Sequence, residues 1–106
     1  MKPLFSLVFL RMFFTKKRKL RKLLHTLIEK ATVFGLPEKD VIYTKDFWEH
    51  NEPALCLDQI ATQLHEFHIA IDSEFYETVV TCLLLLQLPP TTYSFLEELF
   101  PANSKS

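Results

Sequence analysis

Glycine is almost missing from this chain of 106 residues: there is one, Gly35. None of the dipeptides that form tight hairpin turns occurs, so an antiparallel sheet has no means of turning its corners. The two cysteines, Cys56 and Cys82, lie far apart in apolar stretches and form no C-x-x-C pair. They read as buried, reduced thiols that pack as small hydrophobes. A phosphate-binding glycine loop, a nucleophile-elbow serine or cysteine and a zinc-protease H-E-x-x-H are also missing, which removes the common routes to an enzyme. No cofactor or metal is expected.

Apolar residues are present in quantity, at 48%, enough for one well-filled core of a single domain. With six prolines as punctuation, they point to an all-α fold, a compact bundle of four to five helices. A first helix is expected from Lys16 to Phe34, with Leu20, Leu23, Leu24, Leu27, Ile28 and Ala31 as its apolar stripe and Gly35 as its left-handed stop. Leu36-Pro37-Glu38-Lys39-Asp40 opens a second helix, with Val41, Thr44, Phe47 and Trp48 facing inward. His50-Asn51-Glu52-Pro53 breaks it. Asn51 is expected to cap a third helix that turns Ala54, Leu57, Ile60, Ala61 and Leu64 inward. Asp72 or Ser73 caps a fourth, whose Leu83–Leu86 run is apolar all round and predicts the most buried helix. Pro89-Pro90 ends it, and Thr91 or Thr92 starts a short fifth helix through Phe95, Leu96 and Leu99. The expected organisation is an extension over 1–15, a helical domain over 16–100 and a frayed tail over 101–106.

Charge is distributed unevenly. The chain is nearly neutral, at −1. Residues 1–30 hold nine Lys/Arg and one acid, Glu29, for +8, and residues 31–106 hold three Lys and twelve Asp/Glu, for −9. Such a split implies an electrostatic partner for at least one half. The first fourteen residues are mostly apolar and run into Lys16-Lys17-Arg18-Lys19-Leu20-Arg21-Lys22. The order is the reverse of an export signal, which puts its charges first. The apolar run, interrupted by Arg11, is shorter than the roughly 20 residues that span a bilayer. The chain is therefore expected to be cytoplasmic. Three readings of residues 1–15 stand open: an amphipathic extension of the first helix packed on the bundle, a segment lying on a membrane surface, or untranslated sequence with Met12 as the true start. A basic arm for nucleic acid is a further reading, with no recognition motif behind it.

Four histidines, His25, His50, His65 and His68, lack a zinc-ligand spacing, and His65 and His68 read as ordinary helix-end residues. The paired acids Glu49/Glu52, Glu74/Glu77 and Glu97-Glu98 read as solvated helix faces rather than catalytic dyads. One grouping reads as a surface for a partner: Glu49, Asn51 and Glu52 at the turn between the second and third helices, with Asp58 and Glu66 on the third. The last two are about 80° apart around the axis at 3.6 residues per turn. Trp48 is the anchor of this strip if its ring is partly exposed.

The succession Leu36-Pro37-Glu38-Lys39-Asp40-Val41, Phe47-Trp48-Glu49-His50-Asn51-Glu52, Ala54-Leu55-Cys56-Leu57-Asp58, Gln63-Leu64-His65-Glu66, Ile69-Ala70-Ile71 and Tyr76 resembles the MafI family of bacterial immunity proteins, over about residues 20–99. It departs from the family pattern at Pro53, Asp58 and Thr62 and in having residues 1–15. The resemblance implies a small helical protein, with no catalytic activity, that neutralises a cognate toxin of RNase type. Nuclease toxins are basic because they hold phosphate backbones, so an acidic inhibitor fits the charge. The alternative function is a peripheral membrane or nucleic-acid adaptor acting through the basic first segment.

Overall fold

The computed structural model describes residues 3–101, with side chains from residue 10 onward. Among the described residues there are four α-helices and one 3-10 helix and no strand: α1 (Pro3–Phe34), α2 (Glu38–Glu49), α3 (Pro53–Glu66), α4 (Ser73–Leu85) and a closing 3-10 helix (Ser94–Leu99). The protein is an all-α bundle. Its extents, 57 × 32 × 17 Å, are set by α1. At 1.5 Å per residue, its 32 residues make a rod of about 48 Å, longer than the body it crosses.

The core forms where the apolar stripes converge. Leu20, Leu24, Leu27, Ile28 and Ala31 of α1 meet Val41 of α2, Cys56, Leu57, Ile60, Ala61 and Leu64 of α3, and Phe75, Val79, Cys82 and Leu83 of α4. Tyr93, Leu96 and Leu99 close the open end. The buried polar groups are satisfied locally: Thr44 donates to the Val41 carbonyl at 2.8 Å, and Gln59 donates to the carboxylate of Asp40 at 3.0 Å. Both thiols are free and buried, and burial pushes each up to about 12, so neither is a reactive thiolate at neutral pH.

Each α-helix stops in the same way. After α1, Gly35 sits at φ 116°, and its N–H and that of Leu36 fold back onto the carbonyls of Thr32 and Ala31. This is the Schellman arrangement, which satisfies carbonyls that the helix leaves open. Asn51, His68 and Gln87 repeat it after α2, α3 and α4, at φ 60°, 52° and 61°. Asn51 is thus the left-handed stop of α2 and not the cap of α3. Glu52 holds the cap position of α3 without a side-chain bond, and Pro53 fills its first turn. Asp72 caps α4 as expected, accepting from the Phe75 N–H at 2.8 Å.

Other expectations need correction. α1 starts at Pro3, not Lys16, so the helix runs unbroken through residues 3–15 into the packed stretch, and residues 1–2 of the expected extension lie outside the described residues. Ala54 is exposed, and Cys56 takes the inward place. α4 is not buried all round: Leu84 is 58% exposed, and Leu85 and Leu86 are half-buried. α4 packs chiefly on α1 and the 3-10 helix on α3, while Phe100, just past the 3-10 helix, meets Tyr76 of α4 edge-on. The last helix is 3-10 and begins at Ser94. Of the expected tail, residues 102–106 lie outside the described residues. No helix among the described residues is long and apolar enough to cross a membrane.

Candidate functional site

The turn between α2 and α3 is tied to α1 by one arginine. Arg21 donates from Nη1 to the Trp48 carbonyl at 2.8 Å and to Asn51 Oδ1 at 3.3 Å. Its guanidinium carbon lies 3.9 Å from the centroid of the Trp48 ring, within cation–π range. The indole answers by donating from Nε1 to the Arg21 carbonyl at 2.9 Å, and the His25 ring lies 5.3 Å from it. Trp48 is half-buried, so it is partly exposed yet held in one orientation. Sequence reasoning missed Arg21, which reads as one more charge in a basic run. A partner 27 residues away leaves no periodic signal.

The expected site residues fall into distinct surroundings. Trp48 and Glu49 line a shallow groove between α1 and α2 with His25, Glu29, Thr32 and Lys45. Asn51 lies on another side, in a cleft of about 620 Å³ bordered by Met12, Phe13, Lys16, Leu20, Pro53 and Leu86. Glu52 is exposed at the start of α3. Asp58 is exposed but engaged: its Oδ1 accepts from the Tyr93 hydroxyl at 2.9 Å. Burial, this hydrogen bond and the negative charge together push the Tyr93 hydroxyl above its ordinary value. Glu66 is exposed at the end of α3, next to His65, whose Nε2 lies 3.0 Å from Glu98 Oε1. Glu98 is a member of the acidic surface that the sequence offered only as part of a solvated pair.

The turn is electrically negative. His50 is raised above its ordinary value, first by the hydrogen bond with the Asp46 carbonyl, then by the Asp46 carboxylate, with smaller contributions from Glu49 and Glu52. Of the twelve acids in residues 31–101, only Asp40 is buried; the other eleven are exposed. Lys39 and Lys45 are the only Lys or Arg in the same range. Among the described residues no three His, Cys, Asp or Glu side chains gather in a way that holds a metal ion.

No protein-family model, no curated protein and no solved structure matches this chain.

Proposed function

We propose that this is a binding protein of the immunity type, without catalytic activity, which neutralises a basic, RNase-type toxin domain in the cytoplasm. The observation that carries the reading is the display of eleven exposed carboxylates on residues 31–101 against two lysines. Opposite charge raises association rates and penalises wrong partners. An aromatic anchor that is already immobilised costs little further entropy on binding. The resemblance to the MafI family over about residues 20–99 supports the same role. Trp48, Glu49, Asn51, Glu52, Asp58 and Glu66 are the proposed contact residues, with Trp48 as the anchor and the carboxylates as the steering charges. Asn51 contributes through the turn that it fixes.

Charge reversal tests this. Asp58 is a poor choice, because its replacement also releases the Tyr93 hydroxyl. Glu52→Lys combined with Glu66→Lys leaves that bond alone, and exposed charges contribute little to stability. The double variant is expected to melt with the parent and to bind the toxin domain about thirtyfold more weakly, equivalent to about 2 kcal/mol. The toxin domain used is the product of the gene directly upstream. Undiminished binding and undiminished protection of toxin-expressing cells would remove the acidic surface from the interface.

A further inference from the structure

The described start of α1 carries a surface to which the toxin-binding role assigns no side chain, although Met12, Phe13 and Lys16 border the cleft that holds Asn51. Every residue from Leu10 to Lys19 is exposed. Four of them are large apolar side chains left in water: Leu10 at 46%, Met12 at 56%, Phe13 at 53% and Phe14 at 56%. They are followed within one turn by Lys16, Lys17, Arg18 and Lys19, and no acid precedes Glu29. Solvent-facing helix in a soluble bundle is ordinarily polar. A contiguous apolar patch bordered by one sign of charge marks a place where something else binds.

We propose that residues 10–19 of α1 dock on an anionic lipid surface, burying Leu10, Met12, Phe13 and Phe14 at the headgroup boundary and placing the lysines and arginines against lipid phosphates. This goes beyond the toxin-binding reading and does not depend on it. Charge decides the occupant. A second copy docked patch to patch would bring two unbroken cationic clusters together, and one docked through its acidic body would leave the four apolar side chains facing carboxylates. A nucleic acid would satisfy the cations and leave Leu10 and Met12 in water. An anionic bilayer satisfies both sets of groups: interfacial helices bury an apolar face and use Lys and Arg against acidic lipid. Long basic side chains reach back to the headgroups while their methylenes cover apolar surface.

The test uses the full chain and flotation with lipid vesicles. Vesicles of phosphatidylcholine containing phosphatidylserine are compared with pure phosphatidylcholine. The protein is expected to float with the anionic vesicles and to bind the neutral ones at least about tenfold more weakly, with a similar loss at high salt. Phe13→Glu with Phe14→Glu is expected to weaken binding by about tenfold or more while leaving the unfolding midpoint in place, since both rings are exposed. Three results overturn the proposal: no flotation with anionic vesicles, equal binding to neutral ones, or parent-like binding by the double variant. Two more do so by naming another occupant: self-association in sedimentation that the double variant abolishes, or binding to a single-stranded RNA tighter than to the anionic vesicles. Glu52→Lys with Glu66→Lys should leave vesicle binding undiminished, so failure of the toxin-binding role and failure of lipid docking are separately visible.

Discussion

From Leu20 to Ala31, α1 sinks Leu20, Leu24, Leu27, Ile28 and Ala31 into the core. From Leu10 to Lys19 the same unbroken helix leaves every side chain exposed. Both stretches are rich in large apolar residues, so hydrophobicity alone does not separate them. Spacing does. In the second stretch the apolar positions recur every three or four residues and form one stripe that a neighbouring helix can cover. In the first, Leu10, Met12, Phe13 and Phe14 span roughly 200° of the helix circumference and give way to an unbroken basic run, an arc wider than the stripe that one neighbouring helix covers. A helix is held in a globule by its stripe more than by its apolar content.

Truncation in the core should give the largest separation between the two stretches. Leu24→Ala, Leu64→Ala and Leu83→Ala each remove a side chain that is 0–1% exposed, and each is expected to cost about 2–5 kcal/mol in denaturant titration. Phe14→Ala removes a bigger side chain from the first stretch and is expected to cost under about 0.5 kcal/mol. A protein that starts at Met12 should melt within a few degrees of the full chain, because about 1 kcal/mol shifts a domain of this size by about 4–8 °C. If Phe14→Ala costs as much as Leu24→Ala, or the Met12 start collapses the melt, the start of α1 is part of the folding unit and the comparison fails.

Arg21 sits where the two stretches meet, and it gives the next largest effect. It belongs to the basic run by sequence, yet it is half-buried and bonded to Trp48 and Asn51. Arg21→Ala is expected to destabilise by about 1–2 kcal/mol, from a lost cation–π contact and unmade hydrogen bonds. It should also red-shift Trp48 emission as the ring loses its cover. Lys19→Ala, two positions away and exposed, should change neither. A loss at Lys19 equal to that at Arg21 would mean that charge density, not this one set of contacts, supports the turn.

The pattern of what was legible follows from these cases. Stripes of period 3.6 located α2, α3 and α4 and most of the core, because burial acts on every turn. The start of α1 was misplaced because helix propensity carries a helix past the end of its packed stripe. Asn51 was misread because asparagine serves both as a cap and as a left-handed stop, and only the bonds from Asn51 and Glu52 back to Trp48 and Phe47 separate the two roles. Gln87 gave no signal, since glutamine is not a usual residue for a positive φ, and His68, a residue type enriched there, read only as an ordinary helix-end residue. In the candidate site, the acids were visible as composition. The Arg21–Trp48 and Asp58–Tyr93 pairings were not, because contacts between residues 27 and 35 apart leave no mark in a local pattern.

The smallest expected effect is read at the α2–α3 turn, where His50 responds first to Asp46 and then to the acids beside it. His50 sits at the α2–α3 turn, fully exposed, and is raised above 6.5 chiefly by the Asp46 carbonyl and carboxylate. A group whose folded value is raised contributes stability below its unfolded value and loses it as pH climbs through the folded one. The contribution is therefore complete below about pH 6.5 and fades above it, and for so exposed a ring the melting point should barely register it. The ring itself registers it clearly. In a proton NMR titration the His50 midpoint should lie above 6.5. Asp46→Asn should lower it without bringing it to the ordinary value, because the backbone carbonyl of residue 46 remains. Glu52→Lys, acting at longer range, should lower it less. The measurement bears on the comparison because Glu49 and Glu52, two of the carboxylates offered to a cationic partner, add to the larger effect of Asp46 on His50. A midpoint at or below 6.5 would mean that neither the Asp46 contacts nor the carboxylates around the turn set the charge of this ring, and the turn would not count as part of the acidic body.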